Sequence, residues 1–528
     1  MADDRSREPF NKGKPMPGGN PPPLGSEKKP LPPIPKVITP IPLKKPDPPP
    51  VKAAAPAPRP GENRPPAARP QPRNPGRLAS LDAYRGFIML MLAASGFGIG
   101  QFVEIDASSP VWKIADYSIW QQIGFHFEHP EWRSNFLPKF LESTPAGQRD
   151  TELVRFAVSF WDLIQPAFMF MVGVAMPLSN ARRWSEGQSA GWRYLHALWR
   201  AVALVLLGVF LYSQGSAHTN WIFPNVLAQI GLGYFFAYLL LPLKSWVQIG
   251  VLAAILGAYW GLFKIDPPPA EYDYAAVEAS ADRGEVYEGK FAAWSKNANF
   301  AHNFDRRFLN MLRTLSDEDM KTHGIPLDAR SWAPAPVRTI LFANSEPFLK
   351  NSGGYLTLNF IPSIGTTLLG ILCGQLLIST AGKGKKLLLL LVGGAVCLAL
   401  GLVMGEFACP IVKRIWTPSW VLFSGGYVIW MLALFYFVFD VLPLKLLAFP
   451  LAVLGVNSLA VYLMGELLRG WTREKVVQIH LSGLLETIFG AEKLQADMFG
   501  PIIYPTTVVL VFWLVCLWMY RSKVLVRL

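Results

Sequence analysis

Long apolar stretches alternate with polar segments over most of the chain beyond residue 85. A helix needs about 20 mainly apolar residues to cross a hydrocarbon core of about 30 Å. The pattern predicts about ten spans, at about 86–101, 160–179, 199–213, 225–241, 246–263, 356–378, 387–405, 418–439, 447–468 and 502–520. We therefore predict an all-α polytopic membrane protein in a lipid bilayer, most of whose polar segments are short connections.

The composition agrees with this class and excludes two others. The 528 residues are 51% hydrophobic and include 18 Trp and 33 Phe, which is too apolar for an ordinary soluble enzyme. The net charge of +13 does not indicate a nucleic-acid partner, because 14 of the 50 Lys and Arg residues lie in the first 75 residues and the others favour short loops. The four cysteines fall in or beside predicted spans without metal-binding spacing, so we expect buried thiols.

Composition divides the chain into four parts. Residues 1–75 contain 24 prolines, which predicts a disordered cytoplasmic tail that acts as a tether or docks on a partner protein. Residues 76–263 hold the first five spans and the outer loop 102–158, and 355–528 hold the last five. The intervening polar segment, 264–354, is too long for a simple connection and is interpreted as an extracytoplasmic cap. No signal peptide precedes the first apolar stretch, so we expect that span to be retained.

Basic residues predict the orientation of the spans. Loop 102–158 contains eight acidic and five basic residues. The alternate loops are basic, and they comprise the tail, 182–193, Lys244, 383–386, Lys445 and 521–527. Because cytoplasmic loops are enriched in Lys and Arg, both termini are predicted to be cytoplasmic.

This orientation brings several chemically active residues to one side. His126, His129 and Asp162 all fall at the predicted outer face, as does the cap. Lys413 and Arg414 also fall in a loop placed outside, although basic residues there go against the rule.

Asp162 is the strongest candidate for a functional residue within a span. A charged group in a membrane span costs about 2.5–3.5 kcal/mol on insertion scales, so it usually faces a protein interior or a wet cavity. Asp162 and Gln165 open an otherwise apolar stretch. They therefore predict an inner surface near the outer end of the second span.

The two upstream histidines allow a metal or a base, and the base is favoured. His126 and His129 are three residues apart, but Pro130 disfavours a helix at His129, and no cysteine or Glu-x-x-His partner is near. We predict no metal site. An imidazole with a pKa near neutrality can accept a proton from an amine or hydroxyl, whereas an isolated loop histidine is more often a hydrogen-bonding residue.

Other polar residues in or near spans allow two interpretations. Hydrogen bonds between helices, of about 0.6 kcal/mol each, account for most such residues, yet their number indicates a polar cavity. They are Gln165, Gln229, Asn359, Asn457, Ser458, Tyr462 and Glu466. Before the first span, Ser80 or Asp82 can cap the helix, and Asp82 and Arg85 either pair one turn apart or contact an anionic ligand at the cytoplasmic side.

The ordered motifs resemble a known family. They are RLASLDAYRG at 77–86, His129-x-x-Trp132, DLIQPAFMFMVG from Asp162, VLAQIGLGYFFAYLL from Val226, FIPSIGTTLLGILCG from Phe360, IWTPSWVLFSGGYVIWMLALFYFVFD from Ile415 and PLAVLGVNSLAVYLMGEL from Pro450. Together they resemble the heparan-alpha-glucosaminide N-acetyltransferase family and its bacterial relatives over most of 77–520. The chain departs from the human pattern at Ala94–Phe97, where the family has an asparagine, and at Leu227–Gln229.

The resemblance implies a transmembrane acetyltransferase. Its members draw acetyl-CoA, as co-substrate, from the cytoplasm and acetylate a sugar amine on the far side. By position, His129 matches the catalytic histidine and Asp162 the aspartate of the second span. Asn457, Ser458 and Glu466 match residues of the late span. Relatives also suggest a homodimer.

The working hypothesis is an acyltransferase with a sugar or glycan acceptor. Asp82 and Arg85 would lie at the inner mouth of a cavity, where Arg85 meets a CoA phosphate, and Gln165 near the outer mouth. His129 would act either as general base or as a transient acyl carrier, oriented by Asp162. A transporter or flippase for a sugar or lipid-linked substrate is the alternative, since it also requires intramembrane carboxylates. A non-catalytic scaffold is the third.

Overall fold

A computed structural model describes residues 78–129, 132–134, 158–442 and 444–526. This part of the chain is helical and contains no β-strand, as predicted. The proline-rich tail, most of the second half of loop 102–158 and the last two residues lie outside it.

Eighteen α-helices form within the described residues. In chain order they are α1 (Ala79–Ala93), α2 (Ile99–Val103), α3 (Tyr117–Phe125), α4 (Phe160–Ser185), α5 (Ala190–Tyr212), α6 (Val226–Leu240), α7 (Ser245–Ile265), α8 (Phe300–Met311), α9 (Asp317–Thr322), α10 (Ala335–Leu341), α11 (Phe360–Ile378), α12 (Lys383–Phe407), α13 (Pro418–Tyr436), α14 (Lys445–Val456), α15 (Ser458–Leu467), α16 (Arg469–Trp471), α17 (Ser482–Phe489) and α18 (Gly500–Arg521). Two π-helical segments, Phe437–Val441 and Thr472–Leu481, extend α13 and join α16 to α17.

Seven described helices are long and apolar enough to cross a membrane. They are α4, α5, α7, α11 with its preceding turn, α12, α13 with its π-helical extension, and α18. The pairs α1–α2 and α14–α15 are bent by 54° and 65°, and counting each pair as one span gives nine. The fourth predicted span corresponds to α6, whose 15 residues rise only about 22 Å. The structure therefore shows an integral membrane protein without confirming ten spans, and the sides of the termini remain predictions.

The first span differs from the single uninterrupted span predicted at about 86–101. Its helix starts at Ala79, and the chain breaks where Ser95 and Phe97 adopt left-handed conformations with φ of 48° and 56°. At Gly98, with φ of 69°, a Cβ atom would lie 1.9 Å from the carbonyl oxygen of Pro501. The break thus lets the chain pass directly against the start of α18.

The predicted capping of this first helix by Ser80 or Asp82 is wrong. Leu78 is the N-cap residue and makes no side-chain capping bond, whereas Ser80 and Asp82 lie inside the helix. Asp440 instead accepts hydrogen bonds from the backbone N–H groups of Ala79 and Ser80, at 3.3 and 3.1 Å. A carboxylate from the end of another span therefore stabilises the helix N-terminus.

Helices α4 and α11 pack in direct backbone contact. A Cβ atom at Gly173 would lie 2.1 Å from the carbonyl oxygen of Thr367, and one at Gly370 would lie 2.1 Å from that of Phe170. Only glycine allows this approach, as is usual for close pairs of membrane helices. Because α4 carries Asp162, the contact also fixes the position of that residue.

A methyl group at Gly370 tests this packing. We expect Gly370→Ala to lower the free energy of unfolding by about 1–3 kcal/mol, because the helices must separate. Thermal unfolding of the purified protein measures the effect. The matched control is Gly393→Ala in α12, where no atom lies within 4 Å of the added carbon. Equal melting temperatures for the two variants would contradict the packing argument.

The polar segment 264–354 is largely ordered against the end of the bundle. The Trp294 ring stacks on Phe263 of α7, with centroids 4.4 Å apart and planes 7° apart. Asp305 of α8 is 1% exposed and accepts a 2.9 Å hydrogen bond from the backbone N–H of Thr357, just before α11. The segment is thereby joined to two spans, which fits the predicted cap, although its side of the membrane is not shown.

The pH dependence of unfolding tests the buried carboxyl group. Burial raises the pKa of Asp305 from 3.8 to about 7, so between these values the unfolded chain loses a proton that the folded chain keeps. The stabilisation is complete below the unfolded value and is lost as the pH rises through the folded one. Asp305→Asn keeps an acceptor for Thr357 and removes the titration. Between about pH 5 and about pH 8, the melting temperature of wild type should therefore fall relative to that of the variant.

The comparison of wild type with Asp305→Asn removes the contribution of His302, the other buried titrating group of α8. Burial lowers the pKa of His302 to about 4, and this group is present in both proteins. A difference in melting temperature that is independent of pH would contradict the raised pKa of Asp305.

Candidate active site

Asp162 lies in the first turn of α4, where the helix start holds it in place. Ser159 is the N-cap residue, and its hydroxyl accepts the backbone N–H of Asp162 at 3.1 Å. A carboxylate in the first turn is also stabilised by the helix dipole. Asp162 is only 4% exposed, so its charge requires partners inside the protein.

The segment that carries His129 is fixed on both sides. Before it, the carbonyl oxygen of His126 accepts the backbone N–H of Trp161 at 3.0 Å. After it, the buried Trp132 ring donates to the carbonyl oxygen of Trp294 at 3.2 Å. The His-x-x-Trp spacing thus places an anchor three residues beyond the imidazole.

A neighbouring turn adds a second anchor. The backbone N–H of Ser134 donates to the carbonyl oxygen of Ile411 at 2.8 Å. Gly354, with φ of 73°, lies against the Trp132 ring, since a Cβ atom there would be 2.6 Å from it. The His129 segment is therefore locked between the turn before α13 and the end of segment 264–354.

Lys413 comes from that buried turn. Thr417, the N-cap residue of α13, accepts the N–H groups of Val412 at 3.0 Å and Trp420 at 3.3 Å through its hydroxyl. Trp416 takes a left-handed conformation with φ of 47° to close the turn. These contacts aim Lys413, whose side chain is 6% exposed, toward the first turn of α4.

The three side chains meet at one carboxylate oxygen. Oδ1 of Asp162 lies 2.9 Å from Nδ1 of His129 and 2.9 Å from Nζ of Lys413, and the latter two atoms are 3.4 Å apart. The Asp162–Lys413 pair is buried on both sides, at 5% and 6% exposure, whereas the His129 side chain is 45% exposed. The carboxylate and ammonium thus neutralise each other, and the imidazole edge remains accessible.

The geometry assigns the imidazole tautomer. A carboxylate oxygen can only accept a hydrogen bond, and the Lys413 ammonium can only donate one. The shorter 2.9 Å contact therefore places the proton of the neutral His129 ring on Nδ1, donated to Asp162. Nε2 is then the unprotonated nitrogen, available as a base or nucleophile.

The His129 ring, which carries Nε2, lines a cavity of about 430 Å³ between the helices. Its apolar wall includes Trp161, Phe168 and Leu92. The polar lining residues are His129, Gln165, Tyr212, Asn225, Asn351, Ser352, Tyr355, Lys413 and Tyr462. The structure therefore brings together four residues named from the sequence, namely His129, Gln165, Tyr462 and the adjacent Asp162.

Three other polar residues named from the sequence form hydrogen bonds with backbone groups outside this cavity, namely Gln229, Asn359 and Asn457. Gln229 donates to the carbonyl oxygens of Phe223, Leu356 and Thr357. Asn359 donates to the carbonyl oxygen of Arg414 at 2.7 Å. These bonds join a span to the loops around it.

Asn457 has a similar contact at the other end of the bundle. At the bend between α14 and α15, its side chain donates to Val524 at 3.2 Å and accepts from Val526 at 3.1 Å. Ser458 is the next residue in this bend, and Glu466 is exposed near the end of α15. The cavity described above is not lined by Asn457, Ser458 or Glu466.

Asp82 and Arg85 lie half-buried in the first turns of α1. Leu92 of the same helix lines the cavity, ten residues or about 15 Å beyond Asp82. The two charged residues therefore lie well away from His129, along the helix toward its N-terminus.

His126 is separated from the site chemistry. Its side chain does not line the cavity, and burial lowers its pKa below the ordinary value. Among the described residues, no group of three or more His, Cys, Asp or Glu side chains could hold a metal ion.

Lys413 is the site residue that was not selected from the sequence. The available signal was its position in a loop predicted to lie outside, against the positive-inside rule. A basic residue there indicates a specific partner, and the structure supplies Asp162.

Within the described residues, these features define a helical integral membrane protein with a His–Asp–Lys cluster beside an open cavity between helices. A model of the heparan-alpha-glucosaminide N-acetyltransferase catalytic family matches residues 140–269, which include Asp162. The curated human heparan-alpha-glucosaminide N-acetyltransferase (Homo sapiens) is 22% identical over 433 residues, covering 75% of this chain and 54% of the human protein. The chain thus spans about half the length of that relative. The chain is therefore similar to this family over residues 140–269 and, more weakly, to the human protein over a longer stretch.

Removing one member of the buried ion pair tests the cluster. Asp162→Asn leaves the Lys413 ammonium buried without a counter-charge, and we expect a loss of about 3–5 kcal/mol in the free energy of unfolding. The double variant Asp162→Asn/Lys413→Met should recover most of that loss. His129→Gln, at a half-exposed side chain, is the control and should change stability little. Additive losses in the double variant, measured by thermal unfolding, would contradict the pairing.

Proposed function

We propose that this protein is a transmembrane acyltransferase that moves an acetyl group from cytoplasmic acetyl-CoA to a sugar amine or hydroxyl on the other side. The observation that carries the proposal is the His129–Asp162 contact of 2.9 Å, with the other edge of the ring beside a cavity. The similarity to the heparan-alpha-glucosaminide N-acetyltransferase family supports the acetyl-transfer chemistry. An integral membrane location with cytoplasmic termini, in a bacterial inner membrane, belongs to the same proposal.

In direct transfer, Nε2 of His129 removes a proton from the acceptor amine or hydroxyl as it attacks the thioester carbonyl. A carbon–nitrogen or carbon–oxygen bond forms, the carbon–sulfur bond breaks, and the imidazolium returns the proton to the departing thiolate. Asp162 orients the ring through Nδ1–H and stabilises its charged form. Lys413 holds the carboxylate in place from the opposite side.

In the two-step alternative, Nε2 itself attacks the thioester. The acetyl group is then carried on His129 until the acceptor displaces it. Both routes use the same tautomer, so the difference lies in whether labelled acetyl appears on the protein before the acceptor is added.

A transporter or flippase is the second candidate, and the two bent helix pairs favour it. Discontinuous membrane helices commonly surround the substrate sites of secondary transporters. The bends of 54° and 65° fall at α1–α2 and α14–α15, which contribute Leu92 and Tyr462 near the cavity. In this alternative, His129 and Asp162 bind a proton or substrate without transferring acetyl.

Labelled acetyl-CoA distinguishes these functions. We expect purified protein to transfer label to a glucosamine acceptor, and His129→Ala to lower the rate by about 10²–10⁴-fold, the usual contribution of a general base. His126→Ala is the matched control and should retain activity, because that side chain does not line the cavity. Label retained on the wild-type protein without acceptor, and absent from His129→Ala, would identify the acyl carrier.

Two results would contradict the proposed enzymatic function. Acetyl-CoA turnover unchanged in His129→Ala removes this residue from the mechanism. Absence of acetyl-CoA binding, with glucosamine or lipid-linked sugar movement in proteoliposomes, favours transport. The homodimer suggested by relatives and a partner for the proline-rich tail also remain proposals.

A further inference from the structure

A cluster of arginines lies at the end of α4 opposite to Asp162. Arg183 is near the C-terminus of α4, and Arg193 and Arg200 come from the facing half of α5. Arg183 Nη2 lies 2.5 Å from Nε2 of His196, also on α5. All four side chains are only partly exposed, and three of them carry guanidinium charges.

Neutral groups hold the other two guanidinium groups. Arg193 Nη1 donates to the side-chain oxygen of Asn180 at 3.3 Å. Arg200 lies over the Tyr234 ring, 5.1 Å from its centroid, with its Nη1 3.5 Å from the hydroxyl. The Nε atoms of both arginines are buried and have no hydrogen-bond partner.

No carboxylate of the described residues forms an ion pair with any of these three arginines. The adjacent Arg182 shows the contrast, because its Nε lies 2.9 Å from Glu186 in an exposed pair. Three neighbouring guanidinium charges without counter-charges repel one another, and a bound anion relieves the repulsion.

The chemistry of the cluster favours phosphate. Guanidinium groups match phosphate oxygens through paired N–H donors, and basic pockets between membrane helices bind phosphate head groups. The enclosed space beside Arg183, Arg193 and His196 holds only about 10 Å³, close to the volume of one water. A phosphate would therefore lie at the mouth of this space, where the side chains are partly exposed.

The position of the cluster sets its relation to the active site. Asp162 and Arg183 are 21 residues apart on one helix, or about 32 Å at 1.5 Å per residue. That length matches a hydrocarbon core of about 30 Å. The arginines and the His129 cavity therefore lie at opposite membrane faces.

We propose that Arg183, Arg193 and Arg200 form a binding site for a phosphate-bearing anion. Two sources share this chemistry, namely the nucleotide end of a CoA donor and the head group of an anionic phospholipid. The nucleotide source rests on the proposed function, since the thioester of the same molecule must reach the cavity at the other face. The lipid source does not depend on acetyl transfer.

Binding of 3′,5′-ADP, which carries the 3′-phosphate and one of the two 5′-phosphates of CoA without the thioester arm, tests the nucleotide source. The full chain in phosphatidylcholine nanodiscs is titrated with this compound by calorimetry. We expect Kd to increase at least tenfold in Arg183→Gln and in Arg193→Gln. The matched control, Arg182→Gln, removes the same charge one residue away and should stay within twofold of wild type.

Anionic nanodiscs test the lipid source with the same variants. Replacing part of the phosphatidylcholine with phosphatidylglycerol should raise the Tm of wild type and of Arg182→Gln. The increase should be lost in Arg183→Gln and Arg193→Gln. The Tm of each variant in phosphatidylcholine alone confirms that it is folded.

Either dependence supports the site and identifies its source. If acetyl transfer is absent while phosphatidylglycerol stabilisation depends on Arg183, the proposed function fails and the anion site stands. The anion site is overturned if neither ligand binds, or if Arg182→Gln and Arg183→Gln weaken binding equally.

Discussion

A single carboxylate oxygen holds the candidate site together. Asp162 is almost fully buried, and its Oδ1 contacts both an imidazole and an ammonium group at 2.9 Å. A buried ion pair stabilises little by itself, but leaving either charge alone in such a place is expensive. The three segments that supply these groups must therefore keep their relative positions. The packing around them fixes those positions.

Close backbone packing provides that register. The contact of Gly173 and Gly370 fixes α4 against α11, while the Thr417 cap shapes the turn that presents Lys413. Asp440 fixes the start of α1, the helix whose far end reaches the cavity at Leu92. In each case a polar or glycine residue in an apolar setting acts on backbone groups, and the side chains of the site depend on it.

Periodicity and composition could predict the helical membrane class, because repeated apolar runs of span length are typical of helices that cross a bilayer. The approach of His129 to Asp162 was also within reach, since the predicted topology placed both at one face. The backbone break in the first span was not predicted: Ser95 and Phe97 do not favour a left-handed conformation, and the signal lay in the neighbouring Gly96 and Gly98. Hydrogen bonds from Gln229 and Asn359 to backbone groups were equally hidden, since sequence alone does not separate a structural amide from one that lines a cavity.

The position of Gly354 against the Trp132 ring has a mechanical consequence. The segment bearing His129 and the Asn351–Tyr355 wall of the cavity interlock without space for a single added carbon. The Trp132 ring therefore connects this wall to the segment that carries His129. The width of the cavity at this wall and the position of the imidazole thus depend on the same contact.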